Sequence, residues 1–110
     1  MNITFRQADA FHAVMSSGSV NGASALLGLS QHVISRLISD LEKEVGFALF
    51  NRQGRVLDPT PEGWMLVAEV REAVTGLEHI KNAARVIATF EHTAVQLVAV
   101  PNFVGDWPLI

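Results

Sequence analysis

The chain opens with two runs of hydrophobic residues at helical spacing. The first run follows Thr4, a favoured N-cap residue, and ends before Gly18. The second run follows Ser19 and ends at Gly28, a residue suited to a positive φ. The pattern therefore predicts two short helices. The predicted apolar face of the second helix consists of Ala23, Leu26 and Leu27.

A third helix is predicted to begin after Ser30 and to end at Gly46. The connection between the second and third helices is very short and contains Gly28, as in a helix-turn-helix. Uncharged and basic side chains occupy the first two turns of the third helix, and acids gather in the last two. This arrangement suits a helix that enters a nucleic-acid groove with its N-terminus first. The inner apolar stripe consists of Val33 or Ile34, Leu37, Ile38, Leu41 and Val45.

Two further elements follow the third helix. Residues 47–50 and 56–57 are short apolar pieces around a turn that contains Gly54, which predicts a small β-hairpin, or wing. Thr60 and Pro61 then open a long predicted helix that reaches about residue 90. A heptad seam runs along this helix. The seam consists of Leu66, Val70, Ala73, Leu77, Ile80, Ala84 and Ile87.

The heptad seam predicts a partner helix. A three-helix domain of about sixty residues cannot cover one side of a helix roughly 45 Å long. Part of the seam is therefore expected to pack on the chain's own N-terminal domain, and most of it on a second subunit. Trp64, near the start of the long helix, is expected to pack under the first helix.

The composition is that of a globular chain with one small domain and an appendage. Of the 110 residues, 49% are hydrophobic and none is cysteine, which excludes disulfides and thiolate zinc sites. No apolar stretch approaches the roughly 20 residues of a membrane span, and the N-terminus lacks the layout of a signal peptide. We therefore expect a cytoplasmic protein without membrane contact.

The net charge of −3 limits how nucleic acid can be bound, because phosphate binding usually draws on a surplus of Lys and Arg. Up to Gly63 the chain carries five basic residues and six acids. Any nucleic-acid face must therefore be local. No nucleophile and base, carboxylate pair or glycine-rich phosphate loop stands in a suitable context, so we expect neither an enzyme nor a metal or cofactor in this chain.

Residues spread over the first ninety positions resemble the N-terminal region of LysR-type transcriptional regulators. The matching segments include Phe5-Arg6-Gln7, Gly18-Ser19-Val20, Ser30-Gln31, Ser35-Arg36, Leu41-Glu42, Leu49-Phe50 and Thr60-Pro61-Glu62-Gly63. The combination of three segments, Ala13-Val14-Met15, Arg36-Leu37-Ile38 and Pro59-Thr60-Pro61-Glu62, also resembles the branch of lysine-biosynthesis and opine-catabolism regulators.

The resemblance implies a mainly α fold, a winged helix-turn-helix with a long C-terminal dimerisation helix. Residues 1–59 would form the DNA-binding domain and residues 60–91 the linker and dimerisation helix. Residues 92–110 would be the truncated start of an effector-binding domain. A small-molecule effector is expected to bind the remainder of that domain, and this chain itself is expected to hold no cofactor.

The resemblance also implies roles for individual residues. Gln31 and Ser35 would read bases, Arg36 would contact a base or a phosphate, and the wing would contribute two arginines. Each wing arginine has an alternative partner in Asp58 or Glu62 on the surface. The complete implied DNA-binding set is Arg6, Ser30, Gln31, His32, Ser35, Arg36, Arg52 and Arg55.

His32 departs from the family pattern, which usually has proline after the glutamine of the Ser-Gln pair. Proline fixes the first turn of a helix and can touch a thymine methyl group, whereas histidine offers a hydrogen-bond donor. His32 either contacts the groove or remains solvated, and both interpretations stay open. The operator preference is expected to differ from that of close relatives.

Two functions remain open from the sequence. The first is sequence-specific binding of double-stranded DNA by a homodimer at a two-fold-related operator, with a tetramer for a full-length protein. The alternative is an interaction module that forms heterodimers with full-length regulators through the seam and binds DNA weakly or not at all. The low positive charge motivates this alternative.

Overall fold

The computed structural model describes residues 1–52 and 57–93. Its elements in chain order are α1 (Phe5–Ser17), α2 (Val20–Leu27), α3 (Gln31–Val45), β1 (Phe50–Asn51), β2 (Asp58–Pro59) and α4 (Pro61–Thr93). The predicted helices and the wing are therefore confirmed. The predicted turn at Gly54 lies outside the described residues, as do residues 94–110 of the expected effector-binding domain. The chain divides into two compact units, residues 1–75 and 76–110.

Side chains cap the first three helices at the residues that the sequence predicts. Thr4 Oγ1 accepts a hydrogen bond from the Gln7 backbone N–H, and Gln7 Oε1 accepts one from the Thr4 N–H, both at 3.1 Å. This reciprocal pair is a capping box. Ser19 and Ser30 are the N-caps of α2 and α3, and each side chain accepts a hydrogen bond from the backbone N–H three residues later. Each helix ends at a glycine with positive φ, namely Gly18, Gly28 and Gly46.

One hydrophobic core holds the first unit together. The Phe11 ring of α1 packs edge-on against the Phe50 ring of β1, with centroids 5.8 Å apart and planes at 74°. Because Phe50 of β1 and Leu49 before it are buried in this core, the base of the wing is fixed to the helices. The largest fully buried side chains are Phe11, Val14, Ile34, Leu41 and Leu49.

Two predictions about apolar side chains are wrong. Leu26 is exposed, because α2 turns Ala23 and Leu27, four residues apart, toward the core. Trp64 is 57% exposed and does not join the core under α1. The reason is similar, since α4 presents Gly63 and Val67 to the core and carries Trp64 about 100° away from Gly63.

The wing is shorter than the sequence suggests. The strands β1 and β2 pair antiparallel, with Phe50 opposite Pro59 and Asn51 opposite Asp58. Residues 47–48, predicted as strand, lie outside β1. The Ala48 carbonyl instead accepts a hydrogen bond from Thr60 Oγ1 at 2.8 Å. Thr60 therefore ties the start of α4 to the chain leading into the wing.

The heptad seam has two differently exposed parts. In the first unit Leu66 and Val70 are half-buried and pack against the core, which agrees with the expectation that part of the seam meets the chain's own N-terminal domain. In the second unit Ile80 and Ile87 are 61% and 63% exposed. Among the residues that the structure describes, no helix is both long and apolar enough to cross a membrane.

Candidate nucleic-acid interface

The helix α3 presents two contrasting faces. One face buries Ile34, Ile38 and Leu41 in the core. The other carries Gln31, His32, Ser35 and Arg36, all of them exposed. Because the buried residues recur every three or four positions, the polar side chains of the first two turns are held on the outside of the domain.

A groove of about 550 Å³ lies between the N-terminus of α2, the first half of α3 and β1. Its polar rim brings together Gln31, Ser35 and Arg52, three of the residues predicted to contact DNA. His32 and Arg36 each follow a groove-lining residue and therefore lie about 100° further around α3. The other groove-lining residues are Val14, Gly18, Ser19, Val20, Asn21, Ile38, Phe50, Asn51 and Leu57.

The remaining predicted contacts lie in different places. Ser30 is the N-cap of α3, and its Oγ accepts a hydrogen bond from the Val33 backbone N–H at 3.2 Å. Arg6 is exposed in the first turn of α1. Arg55 lies outside the described residues.

Arg52 is paired with an acid that the sequence does not single out. Its guanidinium Nη2 donates to Glu42 Oε1 on α3, so the alternative pairing with Asp58 or Glu62 is wrong for this arginine. Asp58 Oδ2 instead accepts from Asn51 Nδ2 at 3.0 Å. The Arg52 side chain is still 65% exposed, so a guanidinium with five N–H donors retains donors for another partner.

Glu42 ties the wing to α3 through both of its carboxylate oxygens. Its Oε2 accepts from the backbone N–H of Leu49 at 2.7 Å and of Phe50 at 3.4 Å, while Oε1 accepts from Arg52. The Glu42 side chain is only 14% exposed. A carboxylate that satisfies backbone donors at the entry to β1 fixes the position of the wing relative to α3.

Asn21 is the second functional candidate that sequence reasoning missed. Its Oδ1 accepts a hydrogen bond from Gln31 Nε2, so the first turn of α2 contacts the first residue of α3. The sequence signal is faint, because a polar residue two positions after an N-cap is usually solvated. Only the crossing of α2 and α3 shows that the two amides meet.

In the part of the chain that the structure describes, no group of three or more His, Asp or Glu side chains is placed to hold a metal ion. The candidate site consists mainly of the exposed amide, hydroxyl and guanidinium groups of Gln31, Ser35, Arg36 and Arg52. These are hydrogen-bond donors and acceptors of the kind that contact base edges and phosphates.

Comparison with known proteins decides the family. The family model described as "Bacterial regulatory helix-turn-helix protein, lysR family" matches residues 5–64, which include α1, α2, α3 and the wing. The chain belongs to the lysR family. The expected resemblance to LysR-type regulators is thereby confirmed.

Relatives in the lysR family share the N-terminal region. The regulatory protein NocR of Agrobacterium fabrum is 45% identical over 82 residues, which are 74% of this chain and 27% of NocR. The octopine catabolism/uptake operon regulatory protein OccR of Rhizobium meliloti is 38% identical over 99 residues, 90% of this chain and 33% of OccR. The chain thus spans about a third or less of the length of these relatives. The name of OccR, a regulator of octopine catabolism, agrees with the predicted branch of lysine-biosynthesis and opine-catabolism regulators.

A domain solved in complex with DNA shares the fold. The complex of the BenM DNA-binding domain with catB site 1 DNA superposes with a TM-score of 0.69 at 28% identity. The match covers 77% of this chain and 96% of that domain. The winged helix-turn-helix and the long helix of the present chain are therefore the fold of a domain that was solved on DNA.

Proposed function

We propose that this chain binds double-stranded DNA sequence-specifically as a homodimer, with the first two turns of α3 in the major groove and the wing beside them. The observation that carries the proposal is the groove shared by Gln31, Ser35 and Arg52, set beside the exposed pair His32 and Arg36. Burial of the opposite face of α3 holds these groups in a fixed array. The BenM domain solved on DNA supports the same use of the fold.

The distal part of the heptad seam, from Leu77 to Ile87, supports the dimer. Ile80 and Ile87 stand one heptad apart, and both are more than half exposed. Leu77, the seam residue before them, is half-buried, and Ala84, between them, is exposed. Exposed apolar residues at heptad spacing are the pattern by which one helix packs on another. Ala73 belongs to the seam by the same spacing.

Dimerisation also answers the charge problem. With a net charge of −3, a single subunit has little general attraction for DNA phosphates. Two joined subunits place two patches on one duplex, so the second contact becomes intramolecular and the affinity rises without new contacts. The patch consists of Gln31, His32, Ser35, Arg36 and Arg52, and we propose Arg6, Ser30 and Arg55 as further DNA contacts.

We assign residues 1–59 to the DNA-binding domain, 60–91 to the linker and dimerisation helix, and 92–110 to the start of an effector-binding domain. The greater length of NocR and OccR supports this division. A small-molecule effector would bind that last domain. The chain would act in the cytoplasm as a non-catalytic regulator.

Replacement of Arg36 by alanine is expected to lower operator affinity roughly 30-fold, because each of two subunits loses a contact of about 1 kcal/mol. The measurement is a titration of a fluorescent duplex, chosen by the wild-type protein from a random pool, at several salt concentrations. Arg71→Ala is the matched control, since Arg71 is an exposed arginine of α4 outside the patch.

The wild-type protein should bind less tightly as salt rises, because bound phosphates release counterions. A flat salt response, or equal affinities for Arg36→Ala and Arg71→Ala, contradicts the proposed contact. Dimers that bind no duplex at any salt concentration contradict the proposed function and favour the heterodimer-forming module.

Replacement of Glu42 by glutamine is expected to strengthen DNA binding. Glutamine Oε1 still accepts from the Leu49 N–H, but the ion pair with Arg52 is lost and the guanidinium becomes available for a phosphate. The slope of log affinity against log salt should steepen by about one per freed arginine. Loss of the ion pair itself should change stability by less than about 1 kcal/mol, because Arg52 is largely exposed.

Glu44→Gln is the control for the charge change alone. Glu44 also lies on α3, and its Oε1 accepts from the Asn2 backbone N–H rather than from an arginine. An equal gain in both variants would show that Arg52 is not held back by Glu42.

A further inference from the structure

We infer that Asn21 is a positioning residue that orients the Gln31 carboxamide and thereby sets which base pair Gln31 recognises. This inference rests on the proposed DNA-binding function. Gln31 is the first residue of α3, and its Nε2 donates to Asn21 Oδ1 in the first turn of α2. Both side chains line the groove beside the wing.

The placement of Asn21 is fixed by the junction of α1 and α2. Ser17 Oγ, which has one proton to donate, lies 2.7 Å from the Ala13 carbonyl oxygen and 3.0 Å from the Ser19 carbonyl oxygen. Ser19 Oγ accepts from the Gly22 N–H at 2.9 Å. A Cβ at Gly22 would stand 2.6 Å from the Ser17 Cβ, so glycine is required for this close approach. The backbone that carries Asn21 is therefore held on both sides.

The contact leaves Gln31 with the groups that an adenine needs. An amide nitrogen carries two protons, and one of them is engaged by Asn21. The other proton of Nε2 is free to reach adenine N7, and Oε1 is free to accept from adenine N6. Glutamine reads adenine in the major groove by this pair of hydrogen bonds. Asn21 thus holds the carboxamide in an orientation suited to an A·T pair.

Without Asn21 the glutamine side chain would rotate freely about its three χ angles. A mobile amide can make a single hydrogen bond to other bases, so selectivity falls more than affinity does. The expected effect of Asn21→Ala is a roughly tenfold loss of discrimination at one A·T position of each half-site. Discrimination at the other operator positions should stay as in the wild type.

The test combines single and double variants of the 110-residue chain. The wild-type protein first selects its duplex from a random pool, and binding is then measured to every single base-pair change of that duplex. The proteins compared are Asn21→Ala, Gln31→Ala, the double variant, Asn21→Asp and Asn82→Ala. Asn82→Ala serves as the asparagine control on α4.

The inference expects the effect of Asn21→Ala on discrimination to vanish in the Gln31→Ala background, because Asn21 acts through Gln31. Asn21→Asp keeps the acceptor oxygen and should keep the discrimination ratio, even if its added charge lowers affinity. Unchanged discrimination in Asn21→Ala overturns the inference, and so does an equal loss in both backgrounds, which would indicate direct base contact by Asn21. If the wild-type chain selects no duplex, the proposed function itself fails.

Discussion

Replacement of both Ile80 and Ile87 by aspartate is expected to convert the dimer to a monomer and to weaken operator binding about 1,000-fold. Two carboxylates on the distal seam would have to be buried without partners in a helix pair, which opposes association. Each patch would then bind its half-site alone. Light scattering gives the mass, and a titration with the selected duplex gives the affinity.

The matched control is the pair Asn82→Asp and Val86→Asp. Asn82 and Val86 are exposed on the same stretch of α4 but lie off the seam, and the pair adds the same two charges. The control should remain dimeric and retain most of its operator affinity, apart from a small loss from the added charge. If the seam variant remained dimeric and bound the selected duplex with wild-type affinity, the proposed role of the distal seam would be contradicted.

Replacement of Gly63 by alanine is expected to destabilise the first unit by about 3 kcal/mol, the upper range for an overpacked core. A Cβ at Gly63 would stand 2.5 Å from the Leu49 carbonyl oxygen, a backbone atom of the chain entering the wing. Leu49 is held there by Glu42 and is itself fully buried. The start of α4 would have to move away from the wing, so thermal unfolding should occur at a lower temperature.

Gly76→Ala is the control within the same helix. Among the described residues, and apart from its chain neighbours and the nearby backbone of its own helix, no atom lies within 4 Å of a Cβ built at Gly76. Alanine favours a helix over glycine by about 1 kcal/mol, so this variant should be more stable than the wild type. The two substitutions are chemically identical and are expected to shift stability in opposite directions. If Gly63→Ala were also stabilising, the close approach of α4 to Leu49 would be refuted.

Much of the fold follows from local patterns in the sequence. The caps Thr4, Ser19 and Ser30 and the terminal glycines have local causes, so the bounds of α1, α2 and α3 could be predicted. The errors at Leu26 and Trp64 arise where the pattern shows that a residue is apolar, while tertiary packing decides which apolar residues are covered. Helical periodicity alone leaves that choice open on a short helix.

The candidate site is predicted less completely than the fold. The exposed polar side chains in the first two turns of α3 follow from the amphipathic pattern of this helix. The structure places Gln31 and Ser35 beside Arg52, as expected for one interface. The links from Glu42 to Arg52 and from Asn21 to Gln31 each join residues ten positions apart. Such contacts depend on how α2, α3 and β1 cross, and no sequence spacing encodes that geometry.

Selection of bound duplexes from a random pool tests the central claim most directly. A dimer that presents two copies of the α3 patch should enrich an inverted repeat whose half-sites are centred one helical turn of about 10 base pairs apart, or a multiple of that distance. Each half-site should contain the A·T pair that Gln31 reads. Enrichment of no sequence, or of a single site without two-fold symmetry, would contradict the account.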